Sequence, residues 1–264
     1  MNLFLENKSV VITGGASNIG RSIVLGFAEE NAKITLADID LEQAKLVAAH
    51  AMSLGAESVD LVDCDVTSSE SVDAMFKEVV NKNGTVDVLV NSVGYDELKY
   101  FTQTDRELWD KIIKINFVGV LNCTYSALPI MAAQNSGAII SISSDASRQG
   151  EPREAVYGGM KAGVNSFMKT IAKENGRNGV RCNVVCPGVT IPEKSGDVGE
   201  NSMWSDIDSM FTPDQLEKIA RSLPLKKIGH PKDVANAVVF LASSAAGHIT
   251  GQVLSVSGGY SMIG

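Results

Sequence analysis

Short runs of apolar, often β-branched residues alternate along the chain with longer segments whose apolar positions recur at helical spacing. The short runs predict strands over residues 9–13, 33–37, 58–63, 86–91, 137–143, 181–185 and 249–256. The longer segments predict helices over residues 20–30, 41–54, 69–81, 105–131 and 157–176. Strands separated by helices of this length are typical of right-handed βαβ units on a parallel sheet.

No Pro/Ser-rich linker, charge block or internal repeat interrupts this alternation. The pattern therefore predicts an α/β protein with one doubly wound Rossmann domain over residues 1–264. We expect a mostly parallel seven-stranded sheet with helices on both faces.

Residues 188–222 do not follow the alternation. This segment combines Pro192 and Pro213 with several Gly and Asp residues and with isolated large apolar residues, Met203, Trp204, Met210 and Phe211. Large apolar side chains on an exposed loop need a surface to cover, and long irregular segments in compact domains are often functional. We therefore expect a substrate lid over 188–222, and a solvated excursion without a role is the alternative.

Composition narrows the functional classes. The 264 residues carry a formal net charge of −8 and a pI near 5.0, which disfavours nucleic acid and anionic membranes because both require a basic face. The four cysteines have neither C-x-x-C spacing nor clustered histidines, so buried thiols are expected and no metal site. The N-terminus lacks a signal-peptide pattern and the apolar runs are short, which predicts a soluble cytoplasmic protein.

The first predicted strand leads into the glycine-rich sequence TGGASNIG, residues 13–20, which opens a helix. Glycines allow a tight turn and a close approach to a pyrophosphate at the helix N-terminus. Asp38 ends the second strand, where a carboxylate can bind the ribose hydroxyls and repel a 2′-phosphate. Neither Ile39 nor Asp40 is basic, so the predicted cofactor is NAD rather than NADP.

Tyr157 and Lys161 are four residues apart in a predicted helix and therefore project from one face. A phenol is a poor base at neutral pH because its ordinary pKa is about 10. A nearby ammonium group lowers the pKa of a tyrosine because it favours the phenolate. The pair is a candidate for proton transfer, although an isolated Y-x-x-x-K is more often a surface pair, so its context decides.

These motifs resemble those of the short-chain dehydrogenases/reductases, and the resemblance covers essentially the whole chain. TGGASNIG is similar to the family's TGxxxGxG turn, with Asn18 in place of the middle glycine; Asn tolerates a left-handed backbone. CDV at 64–66, NSVG at 91–94 and CPG at 186–188 are similar to its adenine-contacting, strand-end and nicotinamide-side elements. The resemblance implies a cofactor site made of Gly14, Ser17, Asn18, Ile19, Gly20, Asp38, Asp65, Val66, Asn91, Tyr157, Lys161, Pro187 and Gly188.

The same resemblance implies a catalytic tetrad of Asn116, Ser144, Tyr157 and Lys161. Its serine lies thirteen residues before the tyrosine, which favours Ser144 over its neighbour Ser143. Tyr157 would exchange a proton with the substrate oxygen, and Ser144 would hydrogen-bond that oxygen. Lys161 would bind the nicotinamide ribose and lower the pKa of Tyr157, while Asn116 would position a water that connects Lys161 to solvent. The implied reaction interconverts a secondary alcohol and a ketone with NAD.

A narrower resemblance, around Ser144, Tyr157, CPG and the C-terminal strand, is to the 2-hydroxycyclohexanecarboxyl-CoA dehydrogenases of the same family. It implies a cyclic or aryl 3-hydroxyacyl-CoA substrate, from the anaerobic degradation of aromatic or alicyclic acids. Arg148 and Arg153 are candidates to bind a carboxylate or the thioester side, with ordinary solvated arginines as the alternative. The expected pocket residues are Tyr95, Asp96, 145–156 and the lid.

Two other functions stay open. A non-catalytic partner subunit of a homologous dehydrogenase is favoured by Asn18 and the altered NSVG, and an NADPH-dependent 3-oxoacyl ketoreductase is disfavoured by Asp38. The family resemblance also implies a homo-oligomer, a tetramer or dimer, and an unlike partner subunit stays open as well. Small residues near Tyr157 would allow close helix packing, either between subunits or onto the protein's own sheet: Gly158, Gly159, Ala162 and Gly163.

Overall fold

The computed structural model describes residues 2–199, 202, 204–205 and 211–263. Within these residues seven strands form one sheet in the order β3-β2-β1-β4-β5-β6-β7, and every neighbouring pair is parallel. The doubly wound α/β prediction is therefore confirmed. The strands are β1 (Ser9–Thr13), β2 (Lys33–Asp38), β3 (Ser58–Asp63), β4 (Val88–Asn91), β5 (Gly137–Ile142), β6 (Val180–Pro187) and β7 (Val253–Val256).

The helices lie between the strands and cover both faces of the sheet. A π-helical turn, Lys114–Val118, joins the fourth helix to the fifth. The helices are α1 (Asn18–Glu29), α2 (Leu41–Leu54), α3 (Ser69–Asn83), α4 (Arg106–Ile113), α5 (Gly119–Ala133), α6 (Ala146–Gln149), α7 (Ala155–Asn175), α8 (Pro213–Ser222) and α9 (Pro231–Ala242).

Helices α8 and α9 were not predicted from the sequence, and the expectation that 188–222 is irregular throughout is wrong for its last ten residues. Each of these helices begins with a capping box and a proline in its first turn. At α8 the Thr212 hydroxyl accepts from the Gln215 N–H at 3.3 Å, and the Gln215 side chain accepts from the Thr212 N–H at 2.8 Å. T-P-x-Q and H-P-x-D are sequence signals for a helix start, so both helices could have been predicted.

The core has one apolar layer on each face of the sheet. One layer lies under α1, α2 and α9 and includes the fully buried Phe27 and Ile23. The other lies under α3, α5 and α7 and includes Phe76, Met131 and Met168. Strands that are buried on both faces read as continuous apolar runs, which explains why the pattern located them. All four cysteines are buried and unpaired.

The helical run Arg106–Ala133 is long and apolar enough to cross a membrane by length and composition alone. Its α5 part packs against the sheet through Cys123, Ala127 and Met131, all of them completely buried. A core helix passes the same length and composition test as a membrane span, and these contacts make it a core helix of this fold.

The sheet creates a crevice where β1 and β4 lie side by side. The chain leaves β1 toward α1 on one face and leaves β4 toward α4 and α5 on the other. In open α/β sheets, ligands bind outside the carboxyl ends of the strands at such a reversal of strand order. This edge of the sheet is therefore the place to look for a site.

Candidate active site

One large cavity, of about 1350 Å³, opens along the carboxyl edge of the sheet. It extends from the turn after β1, past the ends of β2, β4, β5 and β6, to residues of α4, α7 and α8. Most residues that the sequence predicted for the site line it: Gly14, Ser17, Asn18, Ile19, Gly20, Asp38, Asp65, Val66, Ser144, Tyr157, Lys161, Pro187 and Gly188.

The turn between β1 and α1 forms the tightest wall of this cavity. A Cβ atom at Gly20 would overlap the carbonyl oxygen of Gly14, which itself has a φ of +69°. Asn18 takes a φ of +43°, the left-handed backbone expected of it. Its side chain is buried, and its Oδ1 lacks a hydrogen-bond partner among the described residues. A glycine cradle, an unpartnered amide and the first N–H groups of α1 fit a bound dinucleotide pyrophosphate.

Asp38 lies at the end of β2 on the same wall. Its two carboxylate oxygens accept hydrogen bonds from the N–H groups of Ala16 at 2.9 Å and Asp40 at 3.0 Å. Burial raises the pKa of Asp38, and these two hydrogen bonds oppose that effect. Each oxygen keeps a lone pair for a further donor, so the carboxylate can accept bonds from a ribose.

Of two further residues predicted to bind the cofactor, Asn91 does not line the cavity and Gly188 does. Asn91 lies at the end of β4, but it is buried in the sheet and does not line the cavity. Its Nδ2 donates to the Ser141 hydroxyl at 3.1 Å, so its side chain links β4 to β5, and a role of Asn91 in cofactor binding stays a prediction. Gly188 does line the cavity, and its Cβ would come within 2.7 Å of Ser257.

Ser144, Tyr157 and Lys161 share the opposite wall of the cavity. Tyr157 and Lys161 project from the first two turns of α7, and Ser144 follows β5. The Lys161 ammonium donates to the Ile142 carbonyl at 3.0 Å and lies 5.5 Å from the Tyr157 ring centre. The alternative serine, Ser143, uses its hydroxyl on the Lys161 carbonyl at 3.0 Å, which leaves Ser144 as the freer hydroxyl.

The titration behaviour of this wall differs from the sequence-based expectation. Burial, and after it the negative charges of Glu154 and Asp96, raise the pKa of Tyr157 well above its usual range, while the Ser144 hydroxyl lowers it to a lesser degree. Burial also lowers the pKa of Lys161 to about 8. The expectation that Lys161 lowers the pKa of Tyr157 is therefore wrong in this structure, because desolvation of the phenolate outweighs a distant ammonium.

Asn116 does not reach the cavity. It is completely buried in the π-helical turn, where its Nδ2 donates to the carbonyls of Tyr95 at 2.7 Å and Ile112 at 2.9 Å. Its Oδ1 accepts from the Tyr95 N–H at 3.2 Å. The side-chain amide thus clamps the backbone beyond β4, and the role of Asn116 in positioning a water beside Lys161 stays a prediction.

Of the two arginines predicted as substrate ligands, only Arg153 lines the cavity. Arg148 donates to the Val253 carbonyl and the Ser255 hydroxyl, both at 3.0 Å, so it braces β7, does not line the cavity, and is not available to bind a substrate charge. Arg153 does lie at the cavity, with its guanidinium on the Leu98 carbonyl at 2.6 Å.

Two carboxyl groups in the cavity have unusual titration behaviour. Burial raises the pKa of Asp96 to about 6. Burial and the neighbouring charge of Asp96 raise the pKa of Glu154 to about 7. The sequence placed both residues in the expected pocket but carried no sign of these shifts, because they depend on what the fold packs around each group.

Several described residues of the segment 188–222 line the cavity. Trp204 and Phe211 line it, together with Ile219 and Leu223; Met203 and Met210 lie outside the described residues. The Ser202 hydroxyl bonds to that of Ser17 at 2.9 Å. Residues lining the cavity that the sequence did not predict include Arg106, Lys111 and Lys114 of the α4 region, and Tyr260. The helical spacing of α4 indicated a buried face but gave no sign that its polar face borders a cavity.

Comparison with known proteins agrees with this geometry. The model of the enoyl-(acyl carrier protein) reductase family matches residues 14–261. The 3-oxoacyl-[acyl-carrier-protein] reductase FabG of Staphylococcus epidermidis is 36% identical over 258 residues, which cover 97% of this chain and 100% of the relative. The FabG protein of Thermotoga maritima is 34% identical and covers 97% and 98%.

Solved structures are similar over nearly the whole chain. A 7α-hydroxysteroid dehydrogenase complexed with NADH and 7-oxo glycochenodeoxycholic acid superimposes with a TM-score of 0.88 and 29% identity, covering 98% of this chain and 96% of the other. A levodione reductase has a TM-score of 0.87 and 25% identity, covering 97% and 98%.

Proposed function

Because this chain belongs to the short-chain dehydrogenase/reductase family, whose members are nicotinamide-dependent oxidoreductases of alcohols and ketones, we propose that it uses NAD to interconvert a 3-oxoacyl thioester and its 3-hydroxyacyl form in the cytoplasm. The observation that carries the proposal is a single cavity that joins the glycine turn and Asp38 to Ser144, Tyr157 and Lys161.

Tyr157 is the proposed proton donor and acceptor at the substrate oxygen. Its raised pKa keeps the phenol protonated at neutral pH, the form that ketone reduction requires. Ser144 holds the substrate oxygen beside the phenol. Lys161 uses one of its three N–H donors on the Ile142 carbonyl, which leaves two for a ribose hydroxyl and the phenol. The nicotinamide, when bound, supplies the hydride for reduction or accepts it in oxidation.

The Tyr157→Phe variant tests this assignment. Loss of a general acid typically costs roughly 10²- to 10⁴-fold in rate, and NADH binding should persist because the ring is kept. Turnover and calorimetric NAD binding are measured on the same preparations. An active variant would contradict the assignment. A native protein that fails to bind NAD would support the alternative of a non-catalytic partner subunit.

The choice of NAD rests on Asp38 and Asp40, which border the ribose end of the cavity and would face a 2′-phosphate. We expect NADH to bind at least about 100-fold more tightly than NADPH, and Asp38→Ala to narrow that ratio. Asp63→Ala is a matched control, because Asp63 is the register partner of Asp38 on β3 but does not line the cavity. Equal affinity for NADH and NADPH in the native protein would contradict the proposal.

The thioester class rests on two similarities. The FabG relatives are 3-oxoacyl-[acyl-carrier-protein] reductases, and the narrower sequence resemblance is to dehydrogenases of a cyclic hydroxyacyl-CoA. Both substrates are thioesters with oxygen on carbon 3, so we propose that shared chemistry and leave the carrier to a panel of CoA and acyl-carrier-protein esters. Activity with simple ketones alone would rule the thioester class out.

A bulky cyclic ketone is the second candidate, favoured by the likeness to the 7α-hydroxysteroid dehydrogenase and by a cavity of about 1350 Å³. Including a 7-oxo bile acid in the same panel distinguishes it. Preferential reduction of the bile acid over every thioester would make it the better assignment.

We also propose that 188–222 acts as a substrate lid on the single domain, supported by Trp204 and Phe211 in the cavity wall. A homo-oligomer, with a tetramer as the expected form, is a further proposal. Gly158 and Gly163 pack against Ala146 and Phe117 of their own fold, whereas Gly159 is exposed with open space around it. Light scattering after size exclusion measures the oligomeric state and would reveal a monomer.

A further inference from the structure

Asp96 faces the catalytic end of the cavity with an unused acceptor atom. The residue is only 7% exposed, and its Oδ2 is buried without a hydrogen-bond partner among the described residues. It lines the same cavity as Tyr157. A buried carboxylate oxygen without a donor costs the folded protein free energy, and a ligand that brings a donor would remove that cost.

Glu154 is a second carboxyl group that lines the same cavity. It immediately precedes α7, three residues before Tyr157, and lines the cavity half-buried. No side-chain hydrogen bond to Glu154 occurs in the part of the chain that the structure describes. The negative charge of Asp96 acts on Glu154, and the charges of both act on Tyr157, so the three groups form one cluster.

The neighbouring acidic groups are satisfied by the protein itself. Glu97 accepts from the Tyr95 hydroxyl at 2.6 Å and from Lys99 at 2.5 Å. Glu151 accepts from the Tyr260 hydroxyl. Asp96 and Glu154 therefore differ from Glu97 and Glu151 in receiving no hydrogen bond from a side chain of the described residues.

The neighbouring basic groups are also occupied. Lys111 lies over the Tyr95 ring at 3.7 Å, Arg153 donates to the Leu98 carbonyl, and Lys161 donates to a main-chain carbonyl. None of the residues outside the described ranges is Lys, Arg or His. Among the described residues, no basic side chain acts on the pKa of Asp96 or Glu154.

The backbone that carries Asp96 is held rigidly. Asn116 bonds to both the N–H and the carbonyl of Tyr95, the preceding residue. A binding group held by a buried clamp pays little entropy when a ligand arrives. The Asn116 side chain thus fixes the backbone position of the residue before Asp96.

We propose that Asp96 and Glu154 form a subsite for a second polar group of the substrate, a hydroxyl or ammonium that donates a hydrogen bond to Asp96 Oδ2. This inference rests on the proposed function and narrows its substrate to an oxo compound that carries such a donor near the reacting carbonyl. With a pKa of about 6 for Asp96 and about 7 for Glu154, an ionised and a protonated carboxyl coexist near neutrality. That combination suits a hydroxyl, which both donates and accepts.

The test uses enzyme loaded with NADH and shape-matched ketones: 2-, 3- and 4-hydroxycyclohexanone, the corresponding methylcyclohexanones, and 4-aminocyclohexanone. For at least one ring position we expect kcat/KM to favour the hydroxy or amino ketone over its methyl partner by about tenfold or more, as a hydrogen bond to a charged group contributes. Asp96→Ala should abolish that ratio. Asp96→Asn keeps an acceptor but no charge, so it should retain a hydroxyl preference and lose an ammonium preference.

Glu97→Gln is the matched control, because Glu97 adjoins Asp96 in sequence but does not line the cavity, and it should keep the native ratio. A ratio near one for every native pair, or an unchanged ratio in Asp96→Ala, overturns the subsite. If no ketone is reduced, the dissociation constants of the same probes from the NADH complex, read by cofactor fluorescence, supply the ratio, and no preference there overturns it too. Failure of the proposed function is distinct: it appears as no turnover of any thioester, whatever ratio the ketone probes give.

Discussion

Replacing Glu154 with Gln should stabilise the cofactor-free protein, and by an amount that grows with pH. The native pKa of Glu154 is raised from 4.5 to about 7 by burial and by the charge of Asp96. Between these two values the folded protein keeps a proton that the unfolded chain has released, so the stability contributed by this group falls as pH rises. The penalty is complete above the folded pKa and absent below the unfolded one.

The size of the effect follows from the two pKa values. A difference of about 2.5 pH units, at about 1.36 kcal/mol for each unit, gives about 3 kcal/mol. The side chain is only half-buried, and its contact with solvent screens part of this energy. We therefore expect Glu154→Gln to gain about 2–3 kcal/mol at pH 8 and close to nothing below pH 4.5.

Urea denaturation at several pH values between 5 and 8, at one protein concentration and without cofactor, measures the difference in unfolding free energy between variant and native protein. Glu97→Gln serves as a control of opposite sign, because hydrogen bonds from Lys99 and Tyr95 lower the pKa of Glu97, so its removal gives no gain at high pH. A difference for Glu154→Gln that is independent of pH, or a loss of stability at pH 8, would refute the reasoning.

Three further predictions concern the turn, the core and the lid. Gly20→Ala should abolish NAD binding in calorimetry while the protein stays folded by circular dichroism, because the new Cβ would overlap the Gly14 carbonyl at the pyrophosphate cradle; binding at native affinity would show that the turn can relax. Arg181→Met should lower the free energy of unfolding, measured by urea denaturation, by about 3–5 kcal/mol, because the Arg181 guanidinium donates to four main-chain carbonyls at the end of α9 and beyond it. The same substitution at the exposed Lys173 should change this free energy little. Trp204→Ala should raise KM by roughly tenfold and alter kcat less, because it removes one aromatic side chain from the cavity wall; an unchanged KM would argue against the lid.

Much of the site was predictable because it depends on local spacing. Tyr157 and Lys161 share a helix face through backbone geometry, and the glycines and Asn18 are the residue types that a tight left-handed turn accepts. The strands were visible as apolar runs because a parallel sheet is buried on both faces. Helix α8 was missed even though its capping box is written in the sequence, because its surroundings looked irregular.

What only the tertiary structure decided is how distant groups act on one another. The sequence assigned Asn116 to catalysis, Asn91 to the cofactor and Arg148 to the substrate, and the structure shows that their side chains donate hydrogen bonds to the protein's own framework. The pKa of Tyr157 rises instead of falling because burial opposes the phenolate and two carboxyls lie beside it. Residue spacing along a helix or turn is set by covalent geometry and is legible in one dimension. Desolvation and charge proximity depend on which segments the folded chain packs together, and so they can be read only from the tertiary structure.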